Sequence, residues 1–142
     1  TPLGFDARQT ALRIRAQKLA PRPVSFKDKR GETLGTARTL GLRDETLGVD
    51  RMLEAGARAL SEAVRDAGLP YDQPVRVFLA FPESQRPLPK DDEPRLVATS
   101  FPPELDKRAR QRIDGARSEV LRLGHAGFAA ALDRAIAALG SC

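Results

Sequence analysis

Apolar residues recur at three and four positions along two stretches of this chain and run together in a third. Val49, Met52, Leu53, Gly56, Leu60, Ala63, Val64 and Ala67 follow the helical period. Arg51, Glu54, Arg58, Glu62 and Arg65 take the opposite side, so an amphipathic helix is predicted here. Gly68 and Pro70 stop it. Gly56 lies inside the apolar stripe, where it reads either as a close approach of another backbone or as a tolerated helical glycine costing about 1 kcal/mol against alanine. Val75-Arg76-Val77-Phe78-Leu79-Ala80-Phe81 is nearly continuous in apolar character, which suits a strand of a parallel sheet covered on both faces. A helix followed by a buried strand is the α/β rhythm.

The second helical stretch organises the chain. Ser118 to Leu123 reads as a short strand, Gly124-His125-Ala126-Gly127 as a tight turn, and Phe128 to Leu139 as a helix with only Asp133 and Arg134 charged. A helix apolar on nearly every side is expected to be enclosed by protein. Strand, glycine-bounded turn and helix form an elbow, which presents its tip residue at the end of a sheet. Here that residue is His125.

The remaining segments are less regular. Asp6 is an N-cap with Gln9 completing a capping-box-like start, and a helix is predicted over Ala7 to Ala20. Ala11, Leu12, Ala16 and Leu19 form its apolar face, Arg8, Arg13, Arg15 and Lys18 a solvated one, and Pro21 and Pro23 its stop. Residues 21 to 48 read as mostly extended, with a loose hairpin about Lys27-Asp28-Lys29-Arg30-Gly31. Residues 82 to 103 hold six of the eleven prolines and read as a surface loop in which Leu96-Val97-Ala98-Thr99 touches the core. A polar, arginine-rich helix is expected over Glu104 to Gly115. No internal repeat is present, and one domain over residues 1–142 is the expectation.

Composition narrows the functional classes. No apolar run approaches the roughly 20 residues that span a bilayer, so no membrane role is expected. A single cysteine, Cys142, rules out an intramolecular disulfide and suits a reducing, cytoplasmic compartment. One histidine and one cysteine leave no soft-ligand set, so neither metal nor cofactor is expected. The net charge of +5 and pI near 10 invite a nucleic-acid reading, but sparse aromatics and the lack of any nucleic-acid-binding signature set it aside.

His125 is the candidate for chemistry. It reads as a general base or proton donor, or as a ring packed under the helix start and bonded to backbone; no Ser or Cys nucleophile stands at elbow spacing. The turn also aims backbone N–H groups of Gly124, Ala126 and Gly127 at one spot, where a carboxylate, phosphate or oxyanion is held by the helix start. Asp91-Asp92-Glu93 reads as a solvated tip rather than an acid/base pair. Gly31-x-x-x-Gly35 has neither the Lys-Ser/Thr ending of a phosphate loop nor the strand and helix that such a loop needs.

The order of these pieces resembles the amino-terminal half of a β-ketoacyl synthase of the thiolase superfamily. Thr1-Pro2-Leu3-Gly4 and the helix after it are similar to that family's opening turn and helix. Asp50-Arg51 through Asp66-Ala67-Gly68-Leu69 is similar to its long alanine-rich helix, Val75 to Phe81 to its buried strand, and Gly124 to Leu139 to its nucleophile elbow and central helix. The resemblance implies a partial thiolase-like α/β fold of layered helices and mixed sheet, an acyl-CoA or acyl carrier protein as partner, and a homodimer. It also implies an acyltransferase lineage of acyl-thioester condensing enzymes. In the family a cysteine at the elbow attacks the acyl thioester; His125 stands nearest that position, so weak or lost activity is implied. The family's opening strand and catalytic histidines do not occur among these residues, which marks the chain as part of a longer polypeptide on this reading. The alternative is a non-enzymatic basic module that docks an acidic protein or nucleic acid.

Overall fold

A computed structural model describes residues 3–18, 22–36, 39–43, 45–88 and 90–140, with backbone alone at 22–26 and 36. Thr1-Pro2, Leu19, Ala20, Pro21 and Cys142, which entered the reading above, lie outside the described residues. The chain divides into two compact units, Thr1–Glu45 and Thr46–Cys142.

In the first unit, α1 spans Ala7–Arg15. Asp6 caps it, its Oδ1 accepting from the Gln9 N–H at 2.7 Å. Gln9 completes the exchange one residue early, its Oε1 accepting from Phe5 N–H at 3.2 Å. The helix ends before the predicted Ala20 because Gln17 turns left-handed (φ 51°). Its predicted apolar face is not buried within this unit; Leu12 and Ile14 are exposed. The loose hairpin is present as β1 (Arg22–Lys27) antiparallel to β2 (Thr33–Thr36). Asp28 builds its turn, accepting from the N–H groups of Arg30 and Glu32, both at 2.8 Å.

The second unit is mixed α/β. Helix α2 (Gly48–Asp66) leads to β3 (Phe78–Ala80), and α3 (Phe101–Ala109) precedes β4 (Glu119–Leu121) and α4 (Gly127–Leu139). Strands β3 and β4 are parallel, pairing Phe78 with Glu119, Leu79 with Val120 and Ala80 with Leu121. The pairing extends beyond the strands through a Val75–Ile113 bridge and a Phe81 N–H to Leu121 carbonyl bond of 2.8 Å. Alternation sorts the side chains. Leu79, Phe81 and Val120 join the core with α2 and α3, whereas Ala80 meets α4 at Gly127. The strand is shorter than the predicted Val75–Phe81 run and less buried than expected, with Phe78 and Leu79 half-buried and Ala80 exposed, although helices approach both of its faces.

The core joins Val49, Leu53 and Ala57 of α2 to Phe101 and Leu105 of α3, with Phe81 and Leu96 between them. Phe81 and Phe101 meet edge-to-face, ring centroids 4.6 Å apart. No other backbone comes close to Gly56, as one of its two readings expected; its neighbour is a side chain, and a Cβ there would stand 3.3 Å from Leu105 Cδ1.

Three expectations need correction. Residues 82–103 are not simply a surface loop: a 3₁₀ turn over Glu93–Arg95 delivers Leu96, fully buried, into the core, while Val97, Ala98 and Thr99 are exposed. The α3 helix starts earlier than Glu104, because Pro102 and Pro103 occupy a first turn where the missing N–H breaks no helical bond. It ends before Gly115 because Arg110 turns left-handed (φ 52°), and buried Gln111 donates from Nε2 to the Gln73 carbonyl at 2.7 Å.

The third correction concerns α4. Gly127 and Ala131 are buried, but Phe128, Leu132, Ile136 and Leu139 are 74%, 49%, 58% and 79% exposed. At about 100° per residue, these four share one side, roughly a third of a turn from the face on the sheet. An apolar pattern all round records what a helix tolerates on each side; here only one side has a partner among the described residues.

Leu96→Ala is expected to lower the unfolding free energy by about 2–5 kcal/mol. Urea denaturation measures this, and a loss below about 0.5 kcal/mol would put Leu96 in the class of surface positions.

Candidate functional site

The elbow begins where β4 releases the chain. Gly124 adopts φ 56°, which an L side chain rarely takes, and donates its N–H to the Phe81 carbonyl at 3.1 Å. A 3₁₀ turn over Gly124–Ala126 follows, and the Gly127 N–H closes it on the Gly124 carbonyl. Gly127 then starts α4 against the sheet, where a Cβ would lie 3.2 Å from Ala80 Cβ. One glycine makes the turn and the other lets the helix touch the strand.

His125 stands at the tip, exposed, with no hydrogen bond or ion pair to any described residue. The reading of a ring packed under the helix start does not describe it. Of the three expected anion-binding donors, Gly124 and Gly127 are engaged within the elbow. A carboxylate also already lies there: a Cβ on Gly124 would collide with Glu83 Oε2. Glu83 thus lies against the turn that leads into α4. Gly48, at the start of α2 with φ 55°, lies under the Asp92 carboxylate in the same manner.

Ion pairs hold the elements around the elbow. Arg122, just before the turn, pairs with Glu93 and ties β4 to the 3₁₀ turn, so Glu93 belongs to a tether rather than to a free acidic tip. Arg95 reaches Asp50 at 3.0 Å and Glu104 at 2.7 Å, and Arg108 also reaches Asp50. This network joins the first turns of α2 and α3. Hydrogen bonding from Arg95 holds the Asp50 and Glu104 carboxyls below their usual range, and the same bonds raise Arg95. Sequence spacing carries no sign of the Arg95–Asp50 contact, because the two lie 45 positions apart.

Among the described residues, no group of three or more His, Cys, Asp or Glu side chains is placed to hold a metal ion. No helix among them is long and apolar enough to cross a membrane. Comparison with family models, curated proteins and solved structures finds no match for the chain. Its chemistry therefore has to be argued from the elbow itself.

Gly124→Ala is expected to destabilise the chain by about 1–2 kcal/mol, from the left-handed backbone alone. A pairing of Gly124→Ala with Glu83→Ala in thermal unfolding separates that strain from the collision with the carboxylate. Asp50 and Glu104 ionise more readily folded than unfolded, so their pairs contribute fully above the unfolded carboxylate range of about pH 4. That contribution is lost as pH falls through the lower folded values. Both groups are substantially exposed, so solvent screening keeps it near or below about 1 kcal/mol. Arg95→Met should flatten this acid limb in pH-dependent urea titrations; an unchanged slope would remove the network from the acid response.

Proposed function

We propose that the chain is a β-ketoacyl synthase-like scaffold of the thiolase superfamily, related to acyl-thioester condensing enzymes and degenerate at the nucleophile. The observation that carries this reading is the run of parallel strand, elbow and helix: β4 leads through Gly124 into α4, which returns against β3. A nucleophile elbow has that construction, and here its tip residue is His125 rather than a cysteine. The long α2 leading into β3, with helices against both faces of the sheet, supports the same order of parts. The bare apolar side of α4 counts against this reading, because a thiolase-like fold encloses that helix.

On this reading the chain handles an acyl-CoA or acyl carrier protein weakly, or keeps the scaffold without condensing, in a reducing compartment such as the cytoplasm. Imidazole does not replace thiolate as an acyl carrier with retained geometry, so His125 is left as a proton carrier. The alternative, a basic docking module, has less support. Arg76, Arg95, Arg108, Arg122 and Arg134 each face a carboxylate of the chain itself, so these five already have partners within the fold.

Incubation with radiolabelled acetyl-CoA, followed by denaturing electrophoresis, tests the proposal. The chain should form no covalent adduct, whereas His125→Cys should acquire label at that position, as a thiol near a helix start reacts as thiolate. Label on wild-type His125, or a His125→Cys variant no more reactive than Cys142, would overturn the reading.

A further inference from the structure

The net charge of +5 is not spread evenly along the chain. Residues 1–45, the first unit, hold ten Lys or Arg against five Asp or Glu, whereas residues 46–142 hold fourteen against fourteen. The whole excess therefore belongs to the first unit. The arginine–carboxylate pairs described above all lie in the second.

In the first unit, Arg8, Arg13 and Arg15 of α1 and Lys18 just after it are exposed, as are Lys27, Lys29 and Arg30 at the hairpin turn. None of these side chains makes a hydrogen bond or ion pair with a described residue. Two of the unit's carboxylates are occupied with backbone instead: Asp6 accepts from the Gln9 N–H, and Asp28 from the Arg30 and Glu32 N–H groups. They hold turns rather than cations. The positive charge of this unit is thus both in excess and turned outward.

The same residues narrow the partner. At about 100° per residue, Arg8 and Arg15 lie on one side of α1, about 10 Å apart along its axis. Leu12 and Ile14 are both exposed but fall on nearly opposite sides, so α1 has no single apolar face to lay into a lipid surface. No described side chain of this unit is buried, so the described residues offer none of the desolvated pockets through which a protein partner is gripped. Double-stranded nucleic acid needs neither feature. It carries one phosphate charge about every 1.7 Å and is held by Lys and Arg that displace its counterions.

We propose that the first unit docks on the phosphate backbone of double-stranded nucleic acid, through α1 and the hairpin turn, without reading base sequence. The lack of a recognition motif sets aside base readout but leaves phosphate contact open. The proposal rests on the first unit and not on the elbow, so loss of the condensing-enzyme reading leaves it standing.

The probe is a fluorescent DNA duplex of about 20 base pairs, titrated with the full chain at about 50 to 200 mM NaCl while anisotropy is followed. Log affinity is expected to fall with log salt at a slope of about −3 or steeper. The triple variants Arg8→Gln/Arg13→Gln/Arg15→Gln and Lys27→Gln/Lys29→Gln/Arg30→Gln should each weaken binding about tenfold or more at low salt and make the slope shallower by about 2. These side chains have no partner to lose, so the fold should be kept. Arg86→Gln/Arg110→Gln/Arg112→Gln, which removes the same charge from exposed positions of the second unit, should bind as the wild type does. Three outcomes would overturn the proposal: no salt-dependent binding of the duplex, an equal loss in the second-unit variant, or tighter binding of polyglutamate or of phosphatidylserine vesicles than of the duplex. The last would assign the surface to an acidic protein or to a membrane.

Discussion

The hydrogen-bonded ladder between residues 75–81 and 113–121 is the constraint on which the second unit depends. Its strand is short, and neighbouring side chains go to opposite faces. Leu79 and Phe81 therefore enter the core of α2 and α3, while Ala80 receives Gly127 of α4. One strand thus sets the depth of two helical layers. A shift of one residue in register would send Phe81 out of the core and reverse every side chain. The turn after β4 depends on it too, since the Gly124 N–H is anchored on the carbonyl of that same Phe81.

Charge acts here mainly as a set of ties between elements. Arg95 joins Asp50 to Glu104, Arg122 joins β4 to the segment carrying Glu93, and Glu119 gathers Arg76 and Arg134. Each pair is partly exposed, so the apolar cluster of Leu53, Leu96, Phe101 and Leu105 supplies the larger stabilisation. The ties instead fix where α3 and the 3₁₀ turn lie relative to α2. Each such pair removes one positive and one negative charge, so the net +5 of the chain is unchanged by them.

The elbow combines a geometry suited to presentation with little chemistry to present. Its two glycines are needed for shape, one for the left-handed turn and one for contact with Ala80. Its donors are largely engaged, and Glu83 lies over the turn. His125 is exposed and has no hydrogen-bond partner among the described residues to orient it. This balance fits a scaffold better than an acyl-accepting centre, and it draws attention to the uncovered apolar side of α4.

Much of this was legible in the chain itself. The 3.6-residue period marked α2 within a residue or two, the apolar run of Val75–Phe81 marked β3, Asp6 marked the start of α1, and the spacing of Gly124 and Gly127 marked the elbow. These are local properties, set by backbone sterics and by which side chains lie on one face. What lies opposite each face is not local. Sequence could not say that Leu96 leaves a proline-rich segment to enter the core, that Arg95 meets Asp50, or that Glu83 lies over Gly124. Nor could it say that α4, apolar almost all round, has only one covered side, because a pattern of side chains specifies what a surface can meet and only the folded chain specifies what it does meet.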